Sequence, residues 1–236
     1  MSSVAVIGTG YVGLTTAVCL AELGHQVTGV DIDAAKVASL RQGEPTIFEP
    51  GLKELMARTV GAGQLRFTTD YAEAIPGADF VFIAVGTPPG RRGEADLVYV
   101  KQAAKAIAGS MKKTVTIVNK STVPIGTGNI VARIVGESLK EEIPFFVVSN
   151  PEFLREGSAI YDFMHPDRLV FGSHDAAAAR AVAALAACTS SLRRAFSCRV
   201  ILTYCWVRVD APWVSPPRRL EMRARPTPCG SMPPCS

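Results

Sequence analysis

The chain has 236 residues, of which 48% are hydrophobic and 19% charged, a balance that excludes wholesale disorder and fits one large domain or two small ones. Its formal charge of +4 divides unevenly: residues 1–187 hold 17 Lys and Arg against 19 Asp and Glu, net −2, whereas residues 188–236 hold 8 Arg against Asp210 and Glu221, net +6. The basic balance is therefore no argument for a nucleic-acid partner of the body. No apolar run reaches the roughly 18 residues of a membrane helix, because Glu22 and His25 cut short the best candidate at 12–23. The start Met1-Ser2-Ser3 lacks the basic region of a signal peptide. The expectation is a cytoplasmic protein with no membrane partner.

Short continuous apolar runs alternate with helically spaced ones, the pattern of a parallel sheet buried on both faces. Strands are expected at 4–7, 26–30, 65–68, 80–85, 115–119, 145–149 and 169–171, and helices at 12–23, 34–41, 52–60, 98–108 and 130–141. Gly24 closes the first helix. The fold class this predicts is α/β, a doubly wound, mostly parallel sheet of Rossmann type over residues 1–187. From 188 to 236 the pattern stops; seven prolines, eight arginines, five cysteines and one glycine follow with no sustained period. That stretch reads as an irregular, poorly ordered tail, in which 199–204 alone has strand character. Cys19 is the one cysteine before position 188, and no C-x-x-C spacing occurs anywhere, so no metal site is expected.

The first strand runs into Gly8-Thr9-Gly10-Tyr11-Val12-Gly13, and Asp31 ends the second strand. Gly8 permits the tight turn, Gly10 offers no Cβ to an approaching diphosphate, and Gly13 lets helix and strand pack closely. Asp31 would accept hydrogen bonds from an adenosine ribose and repel a 2′-phosphate, which favours NAD over NADP. Lys36 lies one helical turn into the next element, near that ribose edge. Glycine turns also serve packing alone, and S-adenosylmethionine binders carry similar loops.

Two further strand ends carry hydroxyls where a cofactor would run: Thr87 in Gly86-Thr87-Pro88-Pro89, and Ser121 and Thr122 in Lys120-Ser121-Thr122-Val123-Pro124. Taken alone, each is an ordinary proline-terminated turn. The sixth strand leads into 150–157, NPEFLREG, whose Glu152 and Glu156 share a face if the segment is helical. One of them would serve as a base or orient a water; the plainer alternative is a solvated helix start.

Together these segments resemble the UDP-glucose/GDP-mannose dehydrogenase family. The likeness covers residues 1 to about 187 and rests on GTGYVGL at 8–14, FEPGL at 48–52, VGTPP at 85–89, KSTVPIGT at 120–127 and NPEFLREGSAI at 150–160. DFMHPDRLVFG at 162–172 looks like the UDP-glucose branch. The resemblance implies oxidation of the C6 hydroxyl of UDP-glucose to the carboxylate of UDP-glucuronate with two NAD, through a cysteine-bound thiohemiacetal and thioester. It places Gly8, Gly10, Tyr11, Val12, Gly13, Asp31, Lys36, Thr87, Ser121, Thr122 and Glu156 on NAD. Glu152, Phe153, Leu154, Arg155 and Glu156 would line the sugar-nucleotide pocket, with Glu152 and Thr122 catalytic.

The family continues into a long helix bearing a catalytic lysine and asparagine, then a second domain with its nucleophile in a GGSCFPKD-like segment. Neither is in this sequence; Cys229 and Cys235 lack the surrounding motif. The resemblance thus implies impaired turnover, and a homodimer whose usual elements are missing. The composition of the tail fits translation in a shifted reading frame, with a divergent C-terminus as the alternative. Two other functions stand beside the leading one: a non-catalytic NAD-binding module, and another Rossmann oxidoreductase such as a 3-hydroxyacid dehydrogenase, which has no need of NPEFLREG or KSTVP.

Overall fold

Alternation of side chains across a strand splits each apolar run between two cores, and this is what fixes helices on both faces of the sheet. The computed structural model describes residues 1–90, 93–186 and 199–203. Six strands, β1 (Ser3–Ile7), β2 (Gln26–Val30), β3 (Leu65–Thr68), β4 (Phe80–Ile83), β5 (Val115–Asn119) and β6 (Phe145–Ser149), run parallel in the order β3-β2-β1-β4-β5-β6. β7 (Arg168–Ser173) adds antiparallel to β6, and β8 (Arg199–Thr203) pairs parallel with β7. The expected doubly wound, mostly parallel sheet is therefore what forms. Apart from β8, the tail expected at 188–236 lies outside the described residues.

In β1, Val4 and Val6 face one core while Ala5 and Ile7 face the other. The first core is closed by α1 (Tyr11–Glu22), α3 (Leu52–Gly61) and α8 (Ala176–Ala186), through Leu14, Leu20, Met56 and Val182. The second is closed by α4 (Tyr71–Ala74), α5 (Val98–Ser110) and α6 (Thr127–Ser138), through Ala74, Ile107 and Val135. Each fully buried side chain of the size of Leu14 or Ile107 stabilises the fold by roughly 1.5–3 kcal/mol. α2 (Ala34–Arg41) follows β2, with Asp33 capping the amides of Ala35 and Lys36. Among the described residues no helix is long and apolar enough to cross a membrane.

Several boundaries differ from the sequence expectation. The fourth strand stops at Ile83, not 85, because its carbonyl already accepts from the amides of both Lys120 and Ser121 and the chain turns away. The helix expected at 130–141 spans Thr127–Ser138: Gly126 takes φ 90 and opens it three residues early. α8 was not expected, since an alanine run has no apolar period to read. Asp175 starts it by accepting the amide of Ala178 at 2.7 Å. The short helices α4 and α7 (Ala159–Met164) were likewise not legible.

His25, between α1 and β2, joins three distant pieces of chain. It is buried, its Nδ1 accepts the amide of Ser2 at 3.3 Å, and its Nε2 lies 3.1 Å from the carbonyl of Leu185 in α8. The neutral ring with the proton on Nε2 serves both. Burial holds its pKa below the ordinary 6.5, outweighing the Leu185 carbonyl, which favours the charged form. The unfolded chain then binds the proton more readily than the folded one, so this stabilisation is complete above about pH 6.5 and is lost as pH falls toward the lower folded-state value. Urea midpoints measured from pH 7.5 to 5 should show the gap between wild type and His25→Gln narrowing as the solution is acidified.

Candidate functional site

β1 and β4 are neighbours, but their connections leave to opposite faces, which opens a crevice at the carboxyl ends of the strands. The turn from β1 into α1 lies at its base. Gly8 has φ 93, and a Cβ there would meet the Ala84 carbonyl oxygen at 2.7 Å. A Cβ on Gly13 would fall 1.9 Å from the Gly8 carbonyl oxygen, so α1 is seated directly on the turn. Gly10 differs: nothing lies within 4 Å of its Cβ position. It is the N-cap of α1, and no side chain caps the helix there. The amides of the first turn, at Tyr11, Val12 and Gly13, thus end in an open cradle with the positive end of the helix dipole behind it.

Asp31 follows β2 at the edge of this cradle. Its Oδ2 accepts from the amide of Thr9 at 2.9 Å, the hydroxyl of Thr9 at 2.7 Å and Nζ of Lys36 at 3.2 Å; its Oδ1 accepts from the amide of Asp33 at 3.1 Å. Burial works against ionisation, but these bonds outweigh it and hold the carboxyl below its ordinary pKa. Thr9, which sequence reasoning passed over, is fully buried and orients the acid. Lys36 meets Asp31 itself, so its nearest role is to steady that carboxylate.

Across the crevice the two hydroxyl-bearing loops are tied together. The Thr87 hydroxyl donates to the Thr122 carbonyl at 3.0 Å, and the Ser121 hydroxyl donates to the Val85 carbonyl at 2.7 Å. Ser121 is buried whereas Thr122 is exposed. Ser121 therefore joins the ends of β4 and β5, and Thr87 and Thr122 form one wall.

The segment expected to set Glu152 and Glu156 on one helical face is not helical. Residues 150–155 have no regular secondary structure and 156–158 form a turn; Pro151 follows Asn150 directly and the Glu152 carboxylate folds back onto the amide of Leu154 at 2.6 Å. The two acids are instead carried on a loop over the carboxyl end of the sheet, with Glu156 exposed. Arg155 is paired with Asp162, its Nη2 2.6 Å from Oδ1. Bonds from the Arg155 side chain foremost, working against a smaller burial effect, and others from the Arg155 amide and Ser158 push the Asp162 carboxyl down to about 2. The Phe153 ring lies against the guanidinium of Arg168, 4.7 Å to its centroid.

Two buried groups in quoted blocks had no role assigned from sequence. Lys120, at the end of β5, points its Nζ at Asn150 Oδ1, 3.2 Å away, and lies 5.9 Å from the Phe163 ring centroid. Burial lowers its pKa to about 8, against the pull of Glu152. Glu49 is also buried and receives the hydroxyl of Tyr11. A lysine or acid inside a motif was the only signal, and burial alone distinguishes these from surface charges.

Parallel strands in this order, an uncapped glycine turn at the switch point and an ionised acid on the adjoining strand define a dinucleotide-binding domain of the oxidoreductase type. The chain belongs to the UDP-glucose/GDP-mannose dehydrogenase family: residues 2–188 match the model of its NAD binding domain. It is 51% identical over 173 residues to the UDP-glucose 6-dehydrogenase YwqF of Bacillus subtilis and 53% identical over 180 residues to TuaD of the same organism, covering 73% and 75% of this chain. In both cases it spans 39% of the relative's length. A solved UDP-glucose dehydrogenase from Pyrobaculum islandicum superposes with a TM-score of 0.78 at 42% identity, over 86% of this chain and 46% of that one.

The two glycines of the turn should respond unequally to the same change. Gly13→Ala drives a methyl into the Gly8 carbonyl and is expected to lower stability by about 1–3 kcal/mol or more. Gly10→Ala meets open space and should cost less than about 1 kcal/mol. Urea denaturation of both variants checks the contrast.

Proposed function

We propose that this chain supplies the cofactor-binding part of a UDP-glucose 6-dehydrogenase, an NAD-dependent oxidoreductase acting on a UDP-sugar in the cytoplasm. The observation that carries this reading is the open cradle at Gly10 beside an ionised Asp31; the residues present fit NAD. Bound there, NAD supplies the hydride acceptor. In this reading the Tyr11 and Val12 amides hold the diphosphate, and Gly8 and Gly13 keep the turn tight enough to present them. Asp31 Oδ1 accepts from the ribose hydroxyls while Thr9 and Lys36 fix Oδ2. Thr87 and Thr122 border the nicotinamide end, Ser121 holds their loops in place, and Glu156 reaches toward the cofactor. Glu152 acts on the substrate side as the acid–base group, within a pocket lined by Phe153, Leu154 and Arg155. The names of the relatives at 51% and 53% identity support the choice of sugar nucleotide.

We further propose that 1–187 is the NAD-binding domain and that the reading frame departs from the family's near 188. Support comes from the end of the family match at residue 188 and from the change to an Arg-, Pro- and Cys-rich composition at the same place. The nucleophilic cysteine, the lysine of the long helix and the elements of a homodimer would then be encoded in the displaced frame. The coding DNA across codons 185–205 is expected to hold a single-base shift whose reversal restores a lysine-bearing helix and a GGSCFPKD-like block; a DNA sequence with no such shift would refute it.

Binding is tested by thermal melting with each cofactor. NAD at 100 times its Kd should stabilise the protein by about 2.7 kcal/mol, and NADP should do much less because its 2′-phosphate faces the Asp31 carboxylate. Asp31→Asn should weaken NAD binding by about 1.5–3 kcal/mol, removing roughly half or more of that stabilisation, and narrow the preference. Equal response of the wild type to both cofactors would overturn the ribose assignment.

A further inference from the structure

The loop that carries Glu152 and Glu156 is held by polar ties rather than by packing. From Pro151 to Ser158 no side chain is buried, and Phe153 is 48% exposed. At its front end, Asn150 is fixed three ways: its amide donates to the Asn119 carbonyl at 2.9 Å, its Nδ2 to the Val170 carbonyl at 3.0 Å, and its Oδ1 accepts from Lys120. At the back end one side chain gathers the ties. Glu49 is 5% exposed, and its Oε2 accepts from the Gly157 amide at 2.9 Å and its Oε1 from the Ala159 amide at 2.8 Å. The same carboxylate receives the Tyr11 hydroxyl, which also lies 3.2 Å from the Arg155 carbonyl oxygen.

Tyr11 is the first residue of α1, directly after Gly10, so the phenol connects the helix end that faces the cradle with a loop 144 residues further along the chain. Glu49 is itself firmly placed. Its carbonyl accepts from Leu52 at 3.1 Å, and Gly51, at φ 79, turns the chain into α3. Among the described residues no ion pair reaches Glu49, so its charge is balanced by two amides and a phenol, bonds that are short and strong when the acceptor is ionised.

We propose that Glu49 is a positioning residue that latches residues 155–159 to the cofactor helix through Tyr11, so that binding at the cradle is transmitted to the loop bearing Glu152 and Glu156. This rests on the reading of the cradle as the NAD site. A carboxylate is required for the latch, since a glutamine offers a single acceptor and cannot take both amides and the phenol on its two ends, and alanine offers none.

Hydrogen–deuterium exchange of the full chain, with and without NAD, tests the proposal. In the wild type, NAD should slow exchange at 8–14 and also at 155–159. Glu49→Gln and Glu49→Ala should raise exchange at Gly157 and Ala159 by about ten-fold or more, leave β1, β4 and β5 as protected as before, and abolish the NAD effect at 155–159 while keeping it at 8–14. Tyr11→Phe keeps both amide bonds; its basal exchange should stay near wild type, yet the NAD effect on the loop should vanish. Unchanged exchange at 155–159 in the Glu49 variants, or a loss of protection spread over the whole sheet, would overturn the latch. Absence of any NAD effect at 8–14 in the wild type would instead overturn the cofactor reading, while the basal exchange of the variants still decides whether Glu49 holds the loop.

Discussion

The contact on which this molecule depends is the seat of α1 on the Gly8 carbonyl. With a hydrogen at the Gly13 α-position the helix approaches β1 more closely than any side chain permits, and its first amides then point into the crevice between β1 and β4. Were the helix displaced by a methyl group, the amides would move from the carboxyl edge of the sheet and Tyr11 would move with them. Core packing, the cradle and the reach of the phenol toward Glu49 are all set by this one approach.

Charge at the site is arranged by burial and hydrogen bonding rather than by net composition. Asp31 stays ionised although its side chain is largely removed from water, because Thr9, Asp33 and Lys36 direct four donors at it. An acid already desolvated and oriented has little further freedom to lose on meeting a hydrogen-bond donor. Lys120 shows the converse: its amine finds one side-chain acceptor, Asn150, in a buried place, and its affinity for a proton falls. Both groups sit at strand ends, where side chains leave the sheet and enter the crevice.

The loop from Asn150 to Ser158 belongs to no core, and its shape follows from what its two ends can bond. Asn150 and Lys120 anchor one end to β5 and β7, and Glu49 and Tyr11 anchor the other to α1 and α3. A segment held in this way keeps its backbone placed while its side chains remain available for contact.

Sequence alone determined the parallel sheet and the cofactor turn. The apolar runs at β1, β4 and β6 are continuous, so they demand cover on both faces, and GTGYVG followed by Asp31 is a local pattern whose glycines and acid act within one βαβ unit. Strand placement was therefore accurate where pattern and packing agree. Tertiary structure decided what depends on partners remote in the chain. Glu152 and Glu156 were expected on a helix, yet a proline and a side-chain tie to the Leu154 amide leave the segment irregular; α8 was hidden in alanines that become a helix only with Asp175 to start it and β6 and β7 to cover. Glu49 and Thr9 carry no periodic signal, because their roles arise from hydrogen-bond partners 108 and 22 residues away. Local sequence encodes local hydrogen bonds and the faces of elements, whereas the identity of a buried acid's partners exists only once the sheet has brought them together.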